Sequence, residues 1–172
     1  MMFTTHIALA VLIFFLIAYT HLIQPYTMVL IVVIIGSLLP DIDHRQSYIS
    51  TRNEFTQFLS GTLTKELTTH RDHFHTIYAS IGFTVLAIIV WYFIGIQSLN
   101  PFIVGFGMFL GYTSHLLGDA INSKGIHWLG KDNEKYHFMK QGFMRTGSWK
   151  ETILQYLFLV AVGLLFLKVG IV

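Results

Sequence analysis

Not one of the 172 residues is cysteine. That excludes a disulfide scaffold and every thiolate-bound metal, so any metal must be held by His, Asp or Glu. Charge is also scarce: Asp, Glu, Lys and Arg make up 12% of the chain, against about 25% in soluble domains. With 53% hydrophobic residues and a mean hydropathy of +0.60, a water-soluble fold would lack the polar material to cover itself. Gly-rich phosphate loops, internal repeats and low-complexity tracts are missing too. A formal net charge of +2 gives no reason to expect nucleic acid as a partner.

Long apolar segments are what the chain has instead: Ile7 to Tyr19, Tyr26 to Leu39, Ile77 to Ile96, Pro101 to Leu117 and Ile153 to Val172. The third and fifth approach the ~20 residues needed to cross a ~30 Å hydrocarbon core, while the others must borrow flanking residues. The pattern predicts an all-α, polytopic membrane helix bundle of four or five transmembrane helices, a single integral-membrane domain over residues 1–172. Met1 to Thr5 carry no basic side chain and no small-x-small cleavage site follows, so the first segment reads as a retained helix and not as a signal peptide.

If the chain alternates sides, His21 to Pro25 and Gly95 to Asn100 lie on one face. The N-terminus, Pro40 to Thr76 and Gly118 to Thr152 lie on the other. Every Lys and Arg except Lys168 belongs to the second set, as do all nine Asp and Glu and every His except His21. The positive-inside rule makes that face cytoplasmic, which places the protein in the inner (plasma) membrane with its polar site and N-terminus facing the cytoplasm. Asn53 to Leu67 has Phe55, Phe58, Leu59, Leu63 and Leu67 near helical spacing and fits a surface-lying amphipathic piece or a lid.

Four polar clusters stand at span ends: His6, Pro40-Asp41-Ile42-Asp43, His70 to His75, and Ser114 to Asp119. An antiparallel run of helices brings all four to one membrane face. His115 and Asp119, spaced i, i+4, share one helical face and can hold one cation between them. Asp41 and Asp43, two apart after Pro40, point the same way if the segment is extended. Carboxylates crowded there would repel by up to ~4 kcal/mol per pair at 4 Å, so their convergence calls for a cation. His70 and His75, five apart, do not share a helical face; if both bind, His70 precedes the helix and His75 sits in its first turns. Arg71 cannot ligate a metal, but its planar fork suits an anionic oxygen. His21, His44, His73, His127 and His137 have no spacing partner and read as surface or interfacial residues.

At these residues the chain resembles the YdjM-type family of membrane-bound, predicted metal-dependent hydrolases. The family pattern has an early T-H, a P-D-x-D closing one apolar segment, an H-R-x-x-T-H-S opening the next and a G-x-x-S-H-x-x-x-D near the end of the following one. Here these read Thr5-His6, Pro40 to Asp43, His70-Arg71 with His75-Thr76, and Gly111 to His115 with Asp119. Phe74 replaces the first hydroxyl of T-H-S, Asp72 stands where Gly often follows H-R, and Gly130 where a Pro is usual. A more distant likeness, to the zinc-dependent phospholipase C and P1 nuclease group, implies that Asp41, one of His70 or His75, His115 and Asp119 hold one metal. It also implies that His6 with Asp119 approaches a second; that group's later His and acidic ligands have no counterpart here.

The expectation is a membrane-bound metal-dependent hydrolase. Its metal ligands would be drawn from His6, Asp41, His70, His75, His115 and Asp119, with Asp43 and Arg71 as further catalytic groups. Zinc is favoured, and Mn or Fe also suit His and carboxylate donors. The bilayer is a partner, and a phosphoester or ester on a lipid-like substrate fits a site at headgroup level. The alternative is a non-enzymatic metal-binding membrane protein, either a transporter or a sensor. Transporters usually place ion sites near the midplane, and no acidic residue lies in the middle of any span.

Overall fold

The computed structural model describes residues 1–43, 74–94, 99–122, 125–129 and 144–170. His70, Arg71 and the stretch from Asn53 to Leu67 lie outside the described residues, as does the side chain of Asp43. The regular elements described are helices: α1 (Phe3–Tyr19), α2 (Thr27–Leu38), a 3-10 turn (Leu39–Asp43), α3 (Ile77–Ile94), α4 (Pro101–Ile121) and α5 (Trp149–Val169).

Local chemistry explains the ends. Pro101 opens α4 at a position where its missing N–H is not needed, and the Asn100 side chain caps the helix by accepting from the Phe102 N–H at 2.9 Å. Ser148 caps α5 by accepting from the Glu151 N–H, and the Glu151 carboxylate reaches back to the Gly147 N–H at 2.7 Å. Pro40 stops the α-helical ladder of α2, which tightens into the 3-10 turn that carries Asp41. Beyond α5, Gly170 takes φ 71, the left-handed conformation glycine adopts without strain.

α4 is the central helix, with α1, α2 and α3 packed on it, while α5 lies on α1. Glycine sets how closely α2 and α4 approach. A methyl group on Gly111 would sit 2.1 Å from the Val33 carbonyl oxygen, and one on Gly36 2.8 Å from the Met108 carbonyl oxygen. Only hydrogen fits between these backbones, the device by which membrane helices pack without a hydrophobic driving force. Phe14, Phe15, Val29, Val33 and Val104 fill the adjoining core.

α3 and α5 are long and apolar enough to cross a membrane, and their outward faces are exposed large apolar side chains such as Phe93 and Leu167. α1 and α2 are apolar but shorter, at 17 and 12 residues, and α4 runs 21 residues into the polar end that carries His115 and Asp119. Four or five spans were expected; among the described residues, two helices meet the length and hydropathy of a membrane crossing by themselves.

Candidate metal centre

Five of the expected site residues meet at one end of the bundle. His6 lies in the first turns of α1, Asp41 in the 3-10 turn, His75 just before α3, and His115 with Asp119 in the last turns of α4. His75 Nε2 lies 3.7 Å from Asp41 Oδ1 and 3.6 Å from Asp119 Oδ2. His115 Nε2 lies 3.7 Å from Asp41 Oδ1 and 3.4 Å from Asp119 Oδ2. Two nitrogens and two oxygens thus alternate around a small ring. Two ligands each ~2.1 Å from a tetrahedral ion stand ~3.4 Å apart, and the four nitrogen–oxygen distances around the ring, 3.4 to 3.7 Å, come close to that spacing.

His115 carries the most information. Its Nδ1 is 2.7 Å from the Ser37 carbonyl oxygen, and because a carbonyl can only accept, Nδ1 bears the proton. In the neutral form of the ring, Nε2 offers a bare lone pair. It is buried, it makes no hydrogen bond, and it faces two carboxylate oxygens that also have only lone pairs to offer. A cation between them removes that repulsion, and a backbone carbonyl on the far nitrogen is the usual support of a metal-ligating histidine.

His6 comes to the same carboxylate from the other side, with Nε2 3.3 Å from Asp119 Oδ1, the oxygen that also lies 3.0 Å from the Met1 amino group. Its ring stacks on His115, with centroids 3.8 Å apart and planes within 10°. His6, His115 and Asp119 have donor atoms within 4.8 Å of one another, as do Asp41, His75 and His115. The two groups share His115, so His6 either adds a ligand or orients Asp119. Gly118 makes room for it: a methyl there would lie 2.9 Å from His6 Nδ1.

The centre is closed on the bundle side and open on the other. His115 is fully buried and His6 nearly so, whereas Asp41, His75 and Asp119 keep between a fifth and a quarter of their side-chain surface. Burial works to raise the Asp41 carboxyl, but a hydrogen bond from His75 and the attraction of His115 and His6 in their protonated forms outweigh it and hold the group below its ordinary value. Asp41 is therefore ready to bind as a carboxylate.

Sequence reading missed the groups that hold these donors. The Tyr112 hydroxyl donates to the Phe74 carbonyl oxygen and so anchors the residue before His75. The Ile77 N–H donates to the Trp128 carbonyl at 3.0 Å, which ties down the start of α3. Glu151, fully buried, accepts from the Met2 N–H as well as from Gly147, joining the start of α1 to the start of α5. Ser148-x-x-Glu151 is a capping-box pattern that could have been read in advance. No sequence signal marks a backbone carbonyl such as that of Ser37.

An all-helical membrane protein with a histidine and aspartate donor cluster at one end of its bundle is the class these observations define. A family model described as YdjM inner membrane protein matches residues 1–169, and the chain belongs to that family. No curated protein and no solved structure matches it.

Proposed function

We propose that the protein is a membrane-bound, metal-dependent hydrolase of phosphoesters or esters, with zinc held by Asp41, His75, His115 and Asp119. The observation that carries this reading is the buried, unpaired Nε2 of His115 aimed at two carboxylates. A divalent cation there would polarise the scissile bond and make hydroxide available near neutral pH. His115, fixed through its other nitrogen by Ser37, holds the donor ring in place, while the exposed sides of Asp41, His75 and Asp119 leave room for substrate and water. His6 steadies Asp119 through its second oxygen. In this reading the chain crosses the membrane four or five times, and the donor cluster faces the cytoplasm with the ten basic residues that share its face.

The test is metal analysis of the detergent-purified protein alongside His115→Ala and Asp119→Ala, with bis(p-nitrophenyl) phosphate and p-nitrophenyl acetate as substrates. Stoichiometric zinc and turnover in the wild type, both lost in the variants, are the expected results. Wild-type protein without bound metal would refute the reading, and metal without turnover on either substrate would favour a sensor or transporter.

A further inference from the structure

Beside the donor cluster lies an apolar groove of about 350 Å³ that the cluster does not use, lined by Phe74, Ala79, Gly82, Phe83 and Leu86. Ala79, Gly82, Phe83 and Leu86 follow i, i+3, i+4, i+7 spacing and so line one face of α3 over ~10 Å of helix. Gly82 makes the hollow, since a methyl group there would meet nothing within 4 Å. The helix around it is membrane-facing, with Ile81, Val85, Leu86 and Ile89 exposed, so the groove opens sideways towards hydrocarbon.

The groove and the donor cluster share a wall. The Phe74 ring lies 6.1 Å from that of Phe83, which stacks on Tyr112 at 5.5 Å. Tyr112 in turn holds the Phe74 carbonyl, and the next residue is His75. A chain lying in the groove therefore ends beside the metal donors.

Size and polarity select the occupant. A helix about 10 Å across, laid along ~10 Å of groove, would need roughly 800 Å³, more than twice what is there. The walls are side chains without a polar group, so an extended peptide would leave its backbone unpaired in an apolar setting. A hydrocarbon chain has neither requirement, and a cation held by the donor cluster would attract an anionic head. We propose that the groove binds one hydrocarbon chain of a membrane amphiphile whose anionic ester head lies at the donor cluster. The placement of the head rests on the metal-site reading; the placement of the chain rests on the groove.

The full-length protein in lipid nanodiscs, photolabelled with hexadecyl phosphate bearing a diazirine in its chain and mapped by peptide mass spectrometry, tests this. Label should concentrate on residues 79–86. Gly82→Leu, which fills the hollow, should reduce that labelling roughly tenfold. Gly163→Leu makes the same change on α5, also at a position with nothing within 4 Å, and should leave labelling of residues 79–86 as it is. Label spread evenly over the exposed faces of α3 and α5, or labelling of residues 79–86 that survives Gly82→Leu, would overturn the proposal. Zinc content of the same wild-type preparation keeps the two readings apart. Zinc-loaded protein with evenly spread label defeats the groove alone, and groove labelling in protein without zinc defeats the metal reading alone.

Discussion

His115 and Ser37 meet through one hydrogen bond of 2.7 Å, from Nδ1 of the imidazole to the backbone carbonyl, across the glycine-lined contact of α2 and α4. That bond decides the tautomer of His115, and the tautomer decides that Nε2 presents a lone pair to Asp41 and Asp119. The glycines that let α2 and α4 touch are thus part of the site's chemistry as well as its packing.

Gly111→Ala tests this link. With its new methyl 2.1 Å from the Val33 carbonyl, α2 must move away and take Ser37 with it. A loss of about 1–3 kcal/mol in stability is expected from the overpacking, together with weaker zinc binding. Thermal unfolding in detergent and zinc titration measure the two, and Gly163→Ala, in open surroundings, should change neither.

Tyr112→Phe removes the hydroxyl that donates to the Phe74 carbonyl oxygen. His75 would lose the anchor on its preceding carbonyl, and zinc affinity should fall about 10–100-fold, as when the outer support of a metal ligand is deleted. Competition with a chromophoric chelator gives the affinity. Unchanged affinity would show that His75 is held by other means.

Glu151→Ala would strip the buried acceptor from the Met2 and Gly147 N–H groups. Gly147 is exposed, so water can replace its bond, and the cost falls on the half-buried Met2 N–H, about 1 kcal/mol. The unfolding temperature should drop clearly, and Glu151→Gln should recover part of the loss because its amide oxygen can still accept one of the two bonds.

Acidification should release zinc, because the ligands bind only when deprotonated. Asp41 has its folded pKa lowered, so its stabilising contribution is present above the unfolded value near 3.9 and is lost as pH falls through the lower folded value. Between about pH 5 and 8 Asp41 is already ionised, and the slope of zinc affinity against pH should reflect imidazole protonation. An Asp41→Asn variant should bind zinc more weakly across that range while keeping the slope. A slope that flattens in Asp41→Asn would assign the proton to Asp41 instead.

Much of this arrangement was legible from residue order. His115 and Asp119 at i, i+4 do share a face of α4, and the alternation of apolar segments does carry His6, Asp41 and His75 to the same end. Between His70 and His75, left open by spacing, the structure brings His75 into the donor ring, while His70 lies outside the described residues. The extended geometry expected after Pro40 is instead a 3-10 turn, since the helical ladder of α2 tightens at the proline before it ends.

Composition and periodicity alone determined that the chain is helical and of membrane type, that any metal it held would need His and carboxylate donors, and that these cluster at the ends of the apolar segments. Those properties follow from residue chemistry and from the length of apolar runs, which are local. Tertiary structure decided which nitrogen of His115 is free, which oxygen of Asp119 serves which histidine, and that Tyr112 and Glu151 support the site. These depend on sub-ångström placement of backbone carbonyls and amides from segments far apart in the chain, and no side-chain pattern records where a distant carbonyl will lie.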